Sequence, residues 1–212
     1  MVVNEIFYSI QGESRFAGLP CLFIRLSGCN LRCHWCDTPY AFSEGEAMSF
    51  EQIFAALAAY PRCGLVEVTG GEPLLQPAAP RLLAELQDRG YRVLLETSGS
   101  LDLAKVPRDV VTIMDLKAPG SGEGAANRWE NLDSLDHDDE IKIVLRDRSD
   151  YEWARSIIDR HHLAQRFHVA LSPVHGVLPA AELSRWILED GLDVRLNLQV
   201  HKLIWGADVR GV

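Results

Sequence analysis

Three cysteines share one short segment of the sequence, separated by three residues and then by two. They are Cys29, Cys33 and Cys36. This spacing lets a short loop wrap three thiolates around one [4Fe–4S] cubane and leaves the fourth iron without a protein ligand. A cluster that only carries electrons usually has four cysteine ligands, so an open iron indicates chemistry on a bound molecule. The remaining cysteines, Cys21 and Cys63, do not extend the spacing.

Two other uses of the cysteines are open at this point. A structural zinc site prefers four ligands, and His34 is an additional candidate, although it lies between two of the cysteines. A disulfide is less favoured, because the number of cysteines, 5, is odd and the first residues lack the basic and apolar regions of a signal peptide. We expect Cys21 and Cys63 to be small buried apolar residues of a cytoplasmic protein.

The composition indicates one enzyme domain over residues 1–212. With 47% hydrophobic and 24% charged residues, a chain of 212 residues can bury a substantial core. A formal net charge of −9 argues against a broad nucleic-acid surface, and no apolar stretch approaches the length of a membrane span. The acidic run 133–140 is expected to be a solvated loop. We therefore expect a small-molecule substrate and neither a nucleic-acid nor a membrane partner.

Apolar strands and amphipathic helices alternate along the chain. Ser49 and Gln52 have the spacing of a capping box at the start of a helix that runs to Ala59. Leucine spacing and a proline in the first turn indicate further helices over 80–90, 150–161 and 179–190. The predicted strands are 21–27, 65–69, 91–96, 110–114, 141–145, 167–171 and 194–198. The segment 120–139 is a long connection within the domain.

This alternation predicts an α/β fold, a partial TIM-type barrel of about six parallel strands with alternating helices. In such folds the active site gathers at the carboxyl ends of the strands. Six of the predicted strands are followed there by polar or turn residues: the cysteine loop, Thr69–Pro73, Glu96–Gly99, Asp115–Lys117, Ser172–Pro173 and Gln199–Lys202. The sequence therefore predicts one polar rim beside the cysteines.

The cysteine loop together with Gly70-Gly71-Glu72-Pro73 resembles the radical S-adenosylmethionine superfamily. The resemblance implies that the open iron is chelated by the methionine part of the cofactor, whose cleavage gives a 5'-deoxyadenosyl radical. Paired glycines let backbone carbonyls approach an ammonium, and a nearby carboxylate adds charge. The cofactor-binding residues implied are Trp35, Cys36, Asp37, Gly70, Gly71, Glu72, Ser98, Lys117, Ala118, Pro119 and Ser172. No side chain is expected to be catalytic, because the cofactor supplies the radical.

A closer resemblance covers nearly the whole chain. The segments Asn4–Glu13, Phe23–Leu26, Cys36–Thr38 and His201–Lys202 resemble the 7-carboxy-7-deazaguanine synthases. The resemblance implies a carbon–nitrogen lyase that converts 6-carboxy-5,6,7,8-tetrahydropterin to 7-carboxy-7-deazaguanine and ammonia, on the route to queuosine and related 7-deazapurines. It also implies a homodimer and an electron donor such as flavodoxin.

The same resemblance implies a set of substrate-binding residues: Ile10, Gln11, Gly12, Glu13, Arg25, Thr69, Glu96 and His201. Arg25 lies late in a buried strand, where an unpaired guanidinium is costly. It suits a bidentate grip on the substrate carboxylate, and the alternative is an internal ion pair with Glu13 or Glu96.

Thr38 is implied as a magnesium ligand, since the family has a threonine after the last cluster cysteine. Mg²⁺ prefers oxygen ligands and keeps several waters, so one hydroxyl plus substrate oxygens is a sufficient set. The alternative is that Thr38 caps a helix or turn.

The sequence departs from the family pattern at Ser172-Pro173, where Gln-Pro is expected, so a side-chain contact with the cofactor there is in doubt. The C-terminal residues 205–212 are expected to fold back toward the substrate. Two alternative functions stay open: an activase of the same superfamily that makes a glycyl radical on a partner protein, and a cluster-containing or zinc-binding module without turnover.

Overall fold

The computed structural model describes residues 1–212, which form one nine-stranded sheet flanked by helices. The strands are β1 (Val2–Ile10), β2 (Pro20–Leu26), β3 (Glu46–Ala47), β4 (Leu65–Gly70), β5 (Arg92–Thr97), β6 (Val111–Lys117), β7 (Glu140–Leu145), β8 (His168–Pro173) and β9 (Arg195–Leu196). Their order across the sheet is β3-β1-β2-β4-β5-β6-β7-β8-β9.

The strands from β2 to β9, other than β3, run parallel in chain order, and β1 lies antiparallel to both β2 and β3. The predicted partial barrel is confirmed. The sheet is mixed and not purely parallel, because the antiparallel strand β1 belongs to it, and neither β1 nor β3 was predicted as a strand. The last strand is also shorter than predicted. It ends at Leu196, and His201 follows on a short helix.

The helices are α1 (Phe50–Ala58), α2 (Ala79–Asp88), α3 (Arg148–His161), α4 (Leu163–Arg166), α5 (Ala180–Asp190) and α6 (Val200–Trp205). The capping box before α1 is confirmed, with Gln52 N donating to Ser49 Oγ (3.3 Å) and Ser49 N to Gln52 Oε1 (2.8 Å). None of the helices combines the length and apolar character needed to cross a membrane.

Successive side chains of each strand point to opposite faces of the sheet, and the two faces have different contacts. The convex face packs against helices through two clusters, one with α1 and α2 and one with α3 and α5. The concave face carries a smaller apolar cluster in which Phe7 and Phe23 stack with ring centroids 4.7 Å apart. Two residues further along β2, on the same face, comes Arg25. The apolar cluster therefore forms a floor, and the polar residues lie nearer the carboxyl ends of the strands.

The loop between β1 and β2 reaches the opposite side of the sheet. Ser14 N donates to Asn197 Oδ1 (3.1 Å), Arg15 N donates to Glu140 Oε2 (3.0 Å), and Arg195 Nη2 donates to the Ser14 carbonyl (2.7 Å). Ser14 takes φ +60°, a left-handed conformation that lets the buried backbone make these turns. This loop, residues 11–19, is called the bridging loop below.

The acidic run 133–140 is only partly the solvated loop that was expected. Its first residues are exposed, but Asp139 and Glu140 are buried. Asp139 accepts hydrogen bonds from Thr112 N (2.7 Å) and Asp136 N (2.8 Å), so its carboxylate organises the start of β7. Burial raises the pKa of Asp139 to about 6, against the lowering effect of these hydrogen bonds.

Candidate active site

The cysteine loop is held by backbone contacts on both sides. Gly28 N donates to Ala41 O (2.8 Å), and His34 N donates to Ser121 O (3.0 Å) on the segment after β6. All three loop cysteines are half-buried and unpaired. Burial raises the pKa of Cys29 and of Cys33, and the Lys117 ammonium partly opposes this at both thiols.

The sulfur positions weigh against a single metal ion. Ligand atoms that lie within 4.8 Å of one another in a set of three occur only at the exposed residues Asp136, His137 and Asp138. A zinc ion holds cysteine sulfurs about 2.3 Å from the metal, so three sulfurs bound to one zinc ion would lie within 4.8 Å of one another. The loop thus fits a larger polynuclear group better than zinc.

Gly70 and Gly71 bring the end of β4 against the cysteine loop. A Cβ on Gly70 would lie 2.3 Å from Leu26 O, and a Cβ on Gly71 would lie 2.4 Å from Gly28 O and 2.7 Å from Cys29 Cβ. Gly71 N donates to Leu26 O (3.1 Å). The glycines are therefore required by this chain's own packing, in addition to any contact with a ligand.

Glu72 is fully buried and its carboxylate is already engaged. It accepts hydrogen bonds from Leu74 N (3.0 Å), Thr97 Oγ1 (2.8 and 3.0 Å), and from the N (2.8 Å) and Oγ (2.6 Å) of Ser98. Because both oxygens are used, Glu72 fixes Ser98 and the ends of β4 and β5. It does not present a free carboxylate to the predicted cofactor ammonium.

Lys117 ends β6 on the cysteine side of the site. Its Nζ lies 3.1 Å from Asp115 Oδ2, and the Asn127 side chain holds both its backbone N (2.8 Å) and O (2.9 Å). Ala118 and Pro119 continue into the short 3-10 helix Pro119–Ser121, which contacts His34. Asp115 Oδ1 is buried and accepts no hydrogen bond, so an unused acceptor remains beside Lys117.

Ser172 does not offer a free hydroxyl. Its Oγ donates to Asn197 O (3.0 Å) and accepts from Asn197 Nδ2 (2.7 Å), and both residues are buried. A cofactor contact at Ser172 would therefore involve its backbone. Trp35 lies half-buried in the cysteine loop.

Glu13 and Glu96, from the bridging loop and β5, meet at Lys142 on β7. Lys142 Nζ lies 3.1 Å from Glu13 Oε2 and also contacts Glu96 Oε1. Thr69 Oγ1 donates to Glu96 Oε2 (3.1 Å). Burial would raise the pKa of Glu96, but Lys142 lowers it overall. Three predicted substrate residues are thus brought together, and both carboxyl groups are held near one cation.

Gln11 lies deeper, where its side-chain amide donates to Glu67 Oε2 on β4. Gln11 Oε1 in turn accepts from Glu13 N (3.0 Å), which fixes the start of the bridging loop. Burial, and then the Glu96 carboxylate, raise the pKa of Glu67 well above its ordinary value. The buried surroundings of Glu67 therefore favour its protonated form, although Gln11 and Lys142 oppose this.

Arg25 pairs with neither Glu13 nor Glu96, so the alternative of that internal ion pair is wrong. Its Nε donates to Glu5 Oε1 (2.8 Å) on the neighbouring strand, and the same oxygen accepts from Tyr40 Oη (3.2 Å). Burial would lower the pKa of Arg25, but Tyr40 and Glu5 raise it overall. The two terminal nitrogens of Arg25 make no hydrogen bond to the protein, so a planar fork stays available for a carboxylate.

The C-terminal residues fold back as expected. The Arg210 guanidinium stacks 3.6 Å from the centre of the Tyr40 ring and binds Glu44 (3.1 Å). A Cβ on Gly211 would lie 3.9 Å from Glu5 Oε2. The tail thus covers the residues that hold Arg25.

His201 lies on α6 and not at a strand end, and its ring packs on Gly12. Val200 N donates to Gly12 O (2.8 Å), next to Ile10 at the end of β1. Burial lowers the pKa of His201, which favours the neutral imidazole.

Asp37 ties the cysteine loop to α6. Its Oδ2 binds Lys202 Nζ (2.9 Å) and Gln199 Nε2 (3.2 Å). Desolvation raises the pKa of Asp37, but Lys202 outweighs it and lowers the value to about 2.

Thr38 occupies the N-cap position of the short 3-10 helix Pro39–Phe42, but its side chain makes no capping hydrogen bond. Its Oγ1 lies 3.9 Å from Cys36 Sγ. Thr38 thus has the N-cap position that was the alternative, but its hydroxyl does not cap the helix and lies beside Cys36.

Three residues that organise this site were not singled out from the sequence: Glu67, Lys142 and Asn197. A signal for two of them is present, because Glu67 and Lys142 are charged residues alternating with aliphatic ones inside buried strands. Asn197 gives a weaker signal, since it lies near the end of the predicted strand 194–198, where an asparagine is typical of the following turn.

Residues 23–116 match the family described as the Radical SAM superfamily, which is the class that the partial barrel and its three-cysteine loop define. Over their full lengths, this chain and 7-carboxy-7-deazaguanine synthase of Koribacter versatilis are 48% identical. The enzyme of the same name from Chlorobaculum tepidum is 46% identical over 99% of this chain and 96% of its own. The chain belongs to the 7-carboxy-7-deazaguanine synthase family. The crystal structure of QueE from Escherichia coli shares the fold, with a TM-score of 0.79, 24% identity and 94% of each chain covered.

Proposed function

We propose that this chain converts 6-carboxy-5,6,7,8-tetrahydropterin to 7-carboxy-7-deazaguanine and ammonia. The observation that carries the proposal is the joint placement of the free Arg25 fork and the Glu13–Glu96 pair on the concave face that the cysteine loop borders. A planar pterin with one carboxylate needs a cationic fork at one edge and hydrogen-bond acceptors at another. The names of the full-length relatives support the same reaction.

The cofactor residues fit the groups that this class of enzyme uses. Cys29, Cys33 and Cys36 would hold the [4Fe–4S] cluster, and the adjoining ends of β4, β5 and β6 would hold S-adenosylmethionine. When bound, the two groups supply a 5'-deoxyadenosyl radical that takes a hydrogen atom from the substrate. The unpaired acceptor on Asp115 and the tightly packed glycine turn are consistent with a ligand between these strand ends.

This chain's own residues bind and aim the substrate. Arg25 donates hydrogen bonds from its terminal nitrogens to the carboxylate, while Glu5, itself held by Tyr40, accepts from Arg25 Nε. Glu13 and Glu96 accept hydrogen bonds from ring and amino N–H groups, and Thr69 orients Glu96. Neutral His201 closes the pocket over the bridging loop, and the C-terminal tail limits access of water.

Mg²⁺ belongs to the proposal through Thr38. A divalent ion between the Thr38 hydroxyl and substrate oxygens would hold the carboxylate in place during the rearrangement. The Thr38 hydroxyl supports this, because it makes no capping hydrogen bond and has only the long contact with Cys36 Sγ (3.9 Å).

The proposal further includes a homodimer in the cytoplasm and reduction by a donor such as flavodoxin. The exposed apolar residues of α6 and the tail, Leu203, Ile204, Trp205 and Val209, suit a face between two copies. Sedimentation of the purified protein tests that part separately.

The decisive experiment is anaerobic turnover of reconstituted protein with reductant, S-adenosylmethionine and the carboxylated tetrahydropterin, with and without Mg²⁺. The expected result is 7-carboxy-7-deazaguanine and ammonia in equal amounts, with a rate that Mg²⁺ increases. Cofactor cleavage without any deazapurine product would reject the proposed substrate. A glycyl radical signal on an added partner protein would instead favour the activase.

A further inference from the structure

Lys142 is a buried cation for which neither the sequence motifs nor the relatives' names give a role. Its side chain is 7% exposed, and Nζ lies 3.1 Å from Glu13 Oε2 and 3.7 Å from Asp115 Oδ2, in addition to its contact with Glu96. These carboxylates come from three different elements: the bridging loop, β5 and β6. One ammonium therefore joins parts of the chain that are far apart in sequence.

The surroundings of Lys142 hold more acids than bases. Glu67 faces the same interior and has no cation of its own, since its hydrogen bond comes from the amide of Gln11. Lys117 is already paired with Asp115 (3.1 Å), and Arg25 with Glu5 (2.8 Å). The charged and titratable groups facing Lys142 and its two glutamates are Arg25, Asp37, Glu67, Asp115, Lys117, Glu140 and His201.

Two carboxylates buried near each other cannot both stay ionised without a cation, because one of them would take up a proton. Burial would lower the pKa of Lys142, but the carboxylates, led by Glu13, raise it well above its ordinary value, so it remains charged. Lys142 also lowers the pKa of Glu96, with which it is in contact, whereas burial and then Glu96 raise the pKa of Glu67 and the more distant Lys142 opposes this only in part. The position of this ammonium thus decides which acids of the interior carry charge.

We propose that Lys142 is the positioning residue of the pterin site, which holds Glu13 and Glu96 as a fixed pair of anionic acceptors for the N–H groups of the substrate. This inference rests on the proposed function, because the two glutamates are the part of the proposed pterin site that would select a ring rich in N–H groups. Lys142 acts through the two glutamates and does not itself contact substrate. Asn197 Nδ2 (3.2 Å) and Gln199 Nε2 (2.8 Å) complete the orientation of Glu13.

The test compares Lys142→Met and Lys142→Arg with the wild type, and Lys105→Met serves as the matched control at an exposed position. Measurements are iron and sulfide content, 5'-deoxyadenosine formed without pterin, KM and kcat for the pterin, and kcat/KM from pH 6 to pH 9.

For Lys142→Met we expect cluster content and uncoupled cofactor cleavage within about twofold of the wild type, and a KM at least about tenfold higher at pH 7, a loss of about 1.4 kcal/mol. The acidic limb of kcat/KM should move up by about one pH unit or more, so that the defect shrinks toward pH 9. Lys142→Arg keeps the charge, and its acidic limb should stay where the wild type has it.

An unchanged KM and acidic limb in Lys142→Met would overturn the role. A loss of activity that is the same at every pH and the same in Lys142→Met and Lys142→Arg would also overturn the role, because that pattern indicates that Lys142 only supports the fold. Should Lys142→Met fail to fold, the Glu13→Gln/Lys142→Met double variant removes one buried anion with the cation and is expected to fold. A KM within threefold of the wild type in this double variant would also overturn the role.

The two proposals fail in different ways. Wild-type protein that cleaves the cofactor but makes no deazapurine rejects the proposed function. Active wild-type protein with an unaffected Lys142→Met variant rejects only the role of Lys142.

Discussion

His201 lies so close over Gly12 that a Cβ at residue 12 would stand 2.0 Å from His201 Nδ1. The backbone of the two segments is joined at the same place by Val200 N and Gly12 O, 2.8 Å apart. A residue of the bridging loop and a residue nearly 190 positions later thus pack face to face, with no space for a methyl group. The His201 imidazole can occupy this position only because residue 12 is a glycine and has no side chain.

Replacing Gly12 by alanine should therefore displace His201. We expect Gly12→Ala to raise the KM for the pterin about tenfold and to lower the free energy of unfolding by about 1–3 kcal/mol, as overpacking does. Cluster content should be unchanged. Gly64→Ala is the control, because a Cβ there meets nothing within 4 Å. Steady-state kinetics and thermal unfolding measure both effects, and a normal KM in Gly12→Ala would contradict the contact.

Gly71→Ala should act on the cluster and not on the substrate. A methyl group at this position would meet Gly28 O and Cys29 Cβ, and a backbone oxygen cannot move aside as a flexible side chain can. We expect less than half of the wild-type iron after anaerobic reconstitution, with the loss visible in the charge-transfer absorption. Full iron loading would show that the cysteine loop tolerates the displacement.

Thr38 gives a prediction about the metal. Thr38→Ala removes the free hydroxyl, so the Mg²⁺ concentration needed for half-maximal rate should rise at least about tenfold. Thr38→Ser keeps an oxygen and should stay near the wild type. Iron content should be the same in all three proteins, and equal Mg²⁺ dependence in Thr38→Ala and the wild type would exclude this ligand.

Arg25 gives a prediction about the substrate carboxylate. Arg25→Lys retains a positive charge beside Glu5 but loses the planar fork, so we expect a KM increase worth about 1–3 kcal/mol. Uncoupled cleavage of S-adenosylmethionine should continue. Arg81→Lys, at an exposed pair with Glu85 (2.8 Å), is the matched control. The carboxylate assignment fails if Arg25→Lys binds the pterin as well as the wild type does.

Asp139 links stability to pH. Its pKa is raised to about 6 by burial, so the carboxyl contributes most to stability when protonated, below its unfolded pKa of about 3.9. That contribution is lost as pH rises through about 6. Relative to Asp139→Asn, which cannot ionise, the wild type should lose about 1 kcal/mol of unfolding free energy between pH 5 and pH 7.5. Denaturant titrations at both pH values measure the difference, and a pH-independent difference would show that Asp139 is not perturbed.

Local sequence patterns were sufficient for much of the sheet and its helices. The capping box at Ser49 located α1, and aliphatic runs located β4 to β8 within a few residues, because a strand buried on both faces is apolar along its length. β1 was missed, since it lies at the edge region of the sheet and is only half-buried. Its strand character depends on pairing with β2, which is a contact between segments.

For the site, too, local patterns were predicted from the sequence and contacts between distant segments were not. Residue types identified the cysteine loop and the glycine turn, because their chemistry depends on spacing along the chain. The alternative ion pair of Arg25 with Glu13 or Glu96 was wrong, because its partner Glu5 lies across a strand pair whose register the sequence did not reveal. Lys142 and Asn197 were not predicted as site residues for a related reason: their roles depend on contacts with residues that are distant in the sequence.

The bridging loop has a consequence for the order in which the protein becomes functional. Apart from the hydrogen bonds of Asp37 to Gln199 and Lys202, the contacts that shape the cysteine loop lie between residues 26 and 123, whereas Glu13 and its loop are held by Glu140, Arg195 and Asn197. During synthesis the cluster-binding part can thus form while the chain is still incomplete, but the substrate pocket has to wait for nearly the last residues. We therefore expect a chain that lacks β9 and α6 to load iron and to lack a pterin site.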